Sequence, residues 1–159
     1  MTKRVIFLVL IISTIIHADI FVKGNKNIGA SIGAGSSYGN NYTIVGVYGN
    51  YFIADNLALG VGYRGWFGSS PQMHELLLEG TYYLPLDKKI HPYVGVFGRE
   101  TFVSDYDDYQ SYGVKGGIAF STSKNSYVGV AYVLEYYSRC NDADECSNSY
   151  PEVVFGLSF

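Results

Sequence analysis

The sequence has few of the residues that build the commoner functional sites. Among its 159 residues are three histidines, two cysteines, one tryptophan and four prolines. Basic side chains are outnumbered by acidic ones, 11 to 14, and the lysines are scattered along the chain. Nucleic-acid binding depends on clustered Lys and Arg that neutralise phosphates, so this class of partner is excluded. After Ala18 no apolar run approaches the roughly 20 residues of a membrane-spanning helix, which excludes a helical membrane protein.

The first 18 residues have the three regions of a secretory signal. Two basic residues, Lys3 and Arg4, precede an apolar run that ends two residues before Ala18. This run is too short to span a bilayer, so we predict cleavage after Ala18 rather than an uncleaved anchor. Residues 19–26 are then a short periplasmic segment and residues 27–159 form one domain. The mature chain would keep 14 acidic side chains and lose two basic ones, which makes it more acidic.

Glycine and aromatic residues are abundant, with 19 Gly, 16 Tyr and nine Phe. Turn residues separate eight segments of alternating character, each near the roughly 9 to 11 residues that a tilted strand needs to cross a bilayer. In most segments one face is apolar and the other is small or charged, whereas a soluble sandwich would have a polar outer face. We therefore predict an all-β fold, an eight-stranded antiparallel up-and-down transmembrane barrel. The predicted strands span residues 27–36, 42–53, 57–67, 73–84, 93–102, 111–121, 126–137 and 150–159.

The last predicted strand ends in an aromatic residue. Val153, Phe155, Leu157 and Phe159 occupy alternate positions and therefore share one face. This pattern resembles the C-terminal signal by which bacterial outer-membrane barrels are delivered to their insertion machinery. The resemblance implies a location in the cell outer membrane of a Gram-negative bacterium, with outer-membrane lipids and the insertion machinery as partners.

One segment is typical of a known family. From Tyr51 to Tyr63, an Asp55-Asn56 turn joins two strands, and the second strand is apolar with spaced glycines. Residues 27–159 thereby resemble the small eight-stranded outer-membrane barrels, the class that includes the barrel of outer-membrane protein A and the opacity-type surface proteins. The resemblance implies a monomer with surface loops, often without a known ligand. No cofactor is predicted.

Seven charged residues are predicted to face the barrel interior, which side chains just fill in a barrel of eight strands. Because buried charges persist only when paired, we interpret these three bases and four acids as an ion-pair network that replaces an apolar core. Centring the hairpins brings Arg64 close to Glu75 and places Arg99 between Glu75 and Glu79. These four residues should form the main cluster. The full set is Arg64, Glu75, Glu79, Arg99, Lys115, Glu135 and Glu152.

Glu100 conflicts with this alternation, because it falls on the lipid-facing side of the fifth strand. There are two solutions. Either its position near the outer rim makes the charge tolerable, or a bulge at Gly98 changes the direction of the strand.

Two alternatives to a structural role stay open. A narrow gated pore would form if Arg64 or Lys115 exchanged carboxylate partners. A lipid A-modifying enzyme would need a histidine and a serine two residues apart on one strand face. His74 lacks such a serine, and His91 is placed in a turn beside Pro92, so no catalytic residue is predicted.

The outer loops contain the remaining candidates. Cys140 and Cys146 lie in the last outer loop and are predicted to form a disulfide, because two cysteines in an exported chain most often pair. The loops are rich in Tyr, Ser, Asn and Asp, so we predict a structural or surface-interaction role with an unknown ligand. Acidic side chains of two loops could gather a hard cation such as calcium, although solvated loops are favoured and no metal site is predicted. They are Asp105, Asp107, Asp108, Asp142, Asp144 and Glu145.

Overall fold

The computed structural model of the protein describes residues 20–86, 89–138 and 146–159. Eight antiparallel strands each pair with the next along the chain, and the last pairs with the first, so the sheet closes into a barrel. The predicted all-β up-and-down barrel is confirmed. No helix within the three described ranges is long and apolar enough to cross a membrane. The strands are β1 (Lys26–Ser37), β2 (Asn40–Ala54), β3 (Leu57–Phe67), β4 (Met73–Tyr83), β5 (Ile90–Val103), β6 (Tyr109–Ser121), β7 (Ser126–Tyr137) and β8 (Ser147–Ser158).

The predicted strand bounds lie within three residues of those observed, and β3 and β7 agree at both ends. The prediction for His91 is wrong, because β5 begins at Ile90 and His91 lies in the strand rather than in a turn. Pro92 lacks a backbone donor, but its carbonyl accepts the Leu84 N–H at 2.7 Å, so pairing continues past the proline. The predicted signal sequence lies outside the described residues and stays a prediction.

Side chains alternate between a lipid-facing outer surface and a packed lumen. Outward residues such as Val61 and Leu78 are exposed by 62% and 65%, whereas the lumenal Glu75 and Glu135 are exposed by only 1%. This arrangement inverts the pattern of a soluble protein, as a barrel surrounded by hydrocarbon requires.

Glu100 faces outward and is half-buried. Pairing of β5 with β4 and with β6 is continuous through Gly98, so the alternative of a bulge at that residue is wrong. Glu100 lies only three residues before the end of β5, where the cost of a lipid-facing charge is low and no bulge is needed.

Some glycines are required by close approach of neighbouring groups. A Cβ at Gly113 would collide with the carbonyl oxygen of Leu134 and the ring of Phe97. A Cβ at Gly98, by contrast, would meet no atom within 4 Å. Glycines of the first kind let aromatic side chains fill the narrow lumen.

The two ends of the barrel differ. We call the end with residues 20–25, Phe159 and the connections from β2 to β3, β4 to β5 and β6 to β7 the terminal end. The opposite end, with the connections from β1 to β2, β3 to β4, β5 to β6 and β7 to β8, is the loop end. The lumen contains two clusters of buried apolar side chains, of which one includes Trp66 and Tyr150 and the other includes Phe52, Tyr83 and Tyr127.

Candidate functional site in the barrel lumen

Arg64 connects carboxylates from two other strands. It projects inward from β3 as the cross-strand partner of Glu75 on β4 and is only 2% exposed. Its Nε donates to Glu75 Oε2 at 2.9 Å, and its Nη1 donates to Glu152 Oε1 at 3.4 Å. Its Nη2 donates to the Tyr150 hydroxyl at 2.6 Å. One buried guanidinium therefore serves two carboxylates and a phenol, a use that its fork of donors allows.

Arg99 joins the same group from β5. Its Nη1 donates to Glu135 Oε2 at 2.8 Å and also to the Tyr150 hydroxyl. Its Nε lies 3.9 Å from Glu75 Oε2, and its guanidinium lies 3.9 Å from the centre of the Phe97 ring. Tyr150 thus accepts from both arginines. We call Arg64, Arg99, Glu75, Glu135, Glu152 and Tyr150 the arginine cluster.

Two neutral donors complete the cluster. Trp66 Nε1 donates to Glu75 Oε1 at 2.9 Å, and Ser111 Oγ donates to Glu135 Oε1. Both oxygens of each of these two carboxylates are therefore engaged. Sequence reasoning did not find Trp66, Ser111 or Tyr150 as members, although their inward positions in the alternation were available as a signal.

Glu79 does not belong to the arginine cluster, contrary to the prediction of a four-residue main cluster. It accepts from Lys115 Nζ of β6 instead. Glu79 lies four residues beyond Glu75 along β4, roughly 13 Å away at about 3.3 Å per residue. Arg99 pairs instead with Glu135 of β7. Because β7 is not adjacent to β5, aligning neighbouring strands in the sequence could not reveal this pair.

A small cavity lies beside the Lys115–Glu79 pair. It has a volume of about 20 Å³, and its lining includes Asn50, Tyr93 and Glu152. The Asn50 Oδ1 and Tyr93 hydroxyl are buried and have no hydrogen-bond partner among the described residues. A polar cavity of this size fits a water molecule, which would satisfy such groups.

Two tyrosines meet over the loop end. Tyr38 follows β1 and Tyr106 follows β5, so they come from connections on opposite sides of the closed barrel. Their ring centroids are 5.2 Å apart, and the rings are 46% and 59% exposed. Tyr38 has a left-handed backbone, with φ of 50°. Partial burial, and then the neighbouring Tyr106, raise the pKa of Tyr38. We call this pair the tyrosine bridge.

A serine–histidine contact is present at the terminal end. His91 Nε2 lies 3.2 Å from Ser121 Oγ on the neighbouring strand, 30 residues away in sequence, which is why sequence spacing missed it. His91 Nδ1 is buried and has no partner in the described part of the chain, and the Ser121 N–H donates to the Lys89 carbonyl. Nucleophilic catalysis needs a base oriented by a third group and free oxyanion donors. Within the described residues no hydrogen-bonding group orients His91 through Nδ1, and the Ser121 N–H is already engaged.

The remaining predicted residues lie on the outer face of β8, at the loop end or outside the described ranges. Phe155, Leu157 and Phe159 are each more than half exposed on the lipid-facing side, and Val153 precedes them on the same face. Cys140 is outside the described residues, so its disulfide with Cys146 stays a prediction. Asp142, Asp144 and Glu145 are outside them as well. Within the described ranges, no three His, Cys, Asp or Glu side chains form a metal-binding group.

Solved structures of outer-membrane barrels share this fold. The N-terminal β-barrel domain of Pseudomonas aeruginosa OprF aligns with a TM-score of 0.70 and 15% identity, over 86% of this chain and 98% of that one. Neisserial surface protein A aligns with a TM-score of 0.68 and 15% identity, over 85% of this chain and 96% of that one. The outer membrane enzyme PagL aligns with a TM-score of 0.54 and 15% identity, over 82% of this chain and 98% of that one. No protein-family model and no curated protein matches the sequence.

The predicted resemblance to the small eight-stranded outer-membrane barrels is thereby confirmed at the level of the fold. At these identities the likeness concerns the fold alone. An enzyme is among the similar structures, so the fold does not decide the activity.

Proposed function

We propose that this protein is an outer-membrane barrel with a closed lumen and a structural or surface-interaction role at its loop end. The terminal end then faces the periplasm, and the loop end faces the outside. Support comes from the apolar outer wall, from the shared fold and from the asymmetry between the two ends. The proposal includes a monomer in contact with outer-membrane lipids.

The filled lumen is the observation that carries this proposal. Arg64 and Arg99, which are 2% and 5% exposed, connect carboxylates from β4, β7 and β8 across the barrel. The cavity beside them, about 20 Å³, has room for roughly one or two water molecules rather than a continuous column. A lumen packed in this way supports a rigid scaffold more than a conduit.

The tyrosine bridge supports an interaction role for the loop end. Tyrosine offers a large contact area at a low cost in conformational entropy, and loops on a rigid scaffold commonly carry recognition. Tyr38 and Tyr106 present such area at the loop end, and the Asn40 amide group donates to the Tyr38 carbonyl at 3.2 Å. The same amide donates to the Ser70 carbonyl at 3.1 Å, which connects two of the loops.

The test is single-channel recording in planar bilayers of mature protein whose gel mobility shifts on boiling. We expect a heat-modifiable band and no conductance steps, because the arginine cluster blocks the lumen. Discrete steps in the wild-type protein that Arg64→Ala abolishes would contradict the closed lumen and establish the gated pore.

The gated pore is the second candidate, and the Lys115–Glu79 pair favours it. Lys115 is more accessible than the arginines, with 11% of its side chain exposed, and both Glu79 and Glu152 line the cavity next to it. Exchange of Lys115 between these two carboxylates would rearrange the lumen without moving a strand. The lipid A-modifying enzyme is the third candidate, and mass analysis of lipid A from cells with and without the protein tests it.

A further inference from the structure

The six residues before β1 turn back into the terminal mouth of the barrel. Phe21 precedes the first strand, yet it is only 5% exposed. Its ring stacks on Tyr83 with a centroid distance of 4.1 Å and lies 5.5 Å from the ring of Tyr127. The His91 ring meets the Phe21 ring in an edge-on arrangement, with a centroid distance of 4.6 Å. Phe21 therefore occupies the lumen between strands that are not neighbours.

Hydrogen bonds hold this segment to β2 and to the turn between β2 and β3. The Asn56 N–H donates to the Phe21 carbonyl at 2.7 Å, and the Lys23 N–H donates to Asp55 Oδ1 at 2.9 Å. The Gly24 N–H donates to the Phe52 carbonyl at 2.8 Å. Asn56 has a left-handed backbone, with φ of 64°. The Asp55–Asn56 turn, which resembles a family feature, thus binds residues 21–23 through hydrogen bonds in this chain.

The cavity in the lumen lies next to two of the rings that Phe21 contacts. Tyr83 and Tyr127 contact that ring and also line the cavity, and the arginine cluster contributes Arg64 and Arg99 to the lining. The buried and unpartnered Asn50 Oδ1 belongs to the same lining. Aromatic rings thus bound the cavity on one side and ion pairs on the other, and its polar atoms call for water.

We infer that residues 20–25 are a plug that closes a hydrated lumenal chamber at the terminal end, with Phe21 as the occluding group and the Asp55–Asn56 turn as its anchor. Displacing the plug connects the chamber to the terminal side. The arginine cluster remains as a second barrier toward the loop end, so the displaced plug opens a vestibule rather than a pore.

A cysteine introduced in the chamber measures its access. In a background with Cys140→Ser and Cys146→Ser, Asn50→Cys is combined with plug variants. The folded protein is treated in detergent with a small cationic methanethiosulfonate, and mass spectrometry follows modification. Phe21→Ala should accelerate modification by roughly tenfold or more, because the rate follows the population of the open form. Val22→Ala is the matched control, since Val22 is 39% exposed and should leave the rate unchanged.

Asp55→Ala provides an independent variant, because it removes an anchor of the plug without touching the lumen wall. It should also accelerate modification, and it decides the question if Phe21→Ala gives no heat-modifiable form. The inference would be overturned if the modification rates of both variants lay within about twofold of the rate of the Asn50→Cys protein with a wild-type plug. An equal acceleration in Val22→Ala would overturn it as well. Conductance steps in the Phe21→Ala protein, which keeps the arginine cluster, would contradict the role of that cluster as a second barrier.

Discussion

Replacing Arg64 with alanine should lower the free energy of unfolding by about 3–5 kcal/mol, since removing one partner of a buried ion pair strands the other charge. Arg64 is 2% exposed and donates to Glu75, Glu152 and Tyr150. Unit charges about 4 Å apart attract by about 4 kcal/mol at an effective dielectric constant of 20. Glu152 loses its ion pair with Arg64. Glu75, however, keeps the Trp66 donor and lies near Arg99, and because this carboxylate stays partnered we expect the lower half of the range.

The assay is urea unfolding of the refolded barrel, followed by fluorescence of Trp66, the chain's one tryptophan. Trp66 donates to Glu75, so its emission also reports on the site itself. Lys26→Ala is the control, because this exposed lysine should change stability by less than about 0.5 kcal/mol. Adding Glu75→Gln to Arg64→Ala should recover part of the loss, as a double-mutant cycle would reveal. An unchanged unfolding midpoint for folded Arg64→Ala would refute the reasoning.

Three further predictions concern packing, lipid contact and insertion. Gly113→Ala should destabilise the barrel by about 1–3 kcal/mol, because its Cβ would overlap a carbonyl oxygen, while Gly98→Ala should be nearly neutral in the same urea titration. Glu100→Leu should keep or raise the unfolding midpoint, because it removes a lipid-facing charge, whereas Glu135→Leu in the lumen should lower it; a fall in both variants would contradict the assigned faces. Phe159→Ala should reduce the amount of inserted protein in cell outer membranes but leave the stability of refolded protein unchanged, and equal losses in both measurements would argue against a delivery signal.

Most of the barrel follows from local pattern. Alternation has a period of two, so the identities of neighbours such as Val61 and Gly62 are enough to assign the outer and inner faces of β3. Short turns then determine which strands pair and in what register, and this places Arg64 opposite Glu75. Pro92 misled the prediction, because a proline interrupts strand pairing only where its missing N–H would be needed as a donor. Here its carbonyl accepts from Leu84.

Contacts across the lumen could not be predicted in this way, because they join residues from strands that are far apart in sequence and not hydrogen-bonded to each other. The position of Tyr150 between Arg64 and Arg99 depends on the curvature and stagger of the closed sheet, as does the preference of Glu79 for Lys115. Phe21 had no periodic pattern at all, since it lies outside the strands. The sequence alone therefore determined the strands and their two faces, which are set by local alternation against lipid. Only barrel closure decided which buried charges meet and which rings Phe21 and the tyrosine bridge contact, because these contacts require three-dimensional proximity.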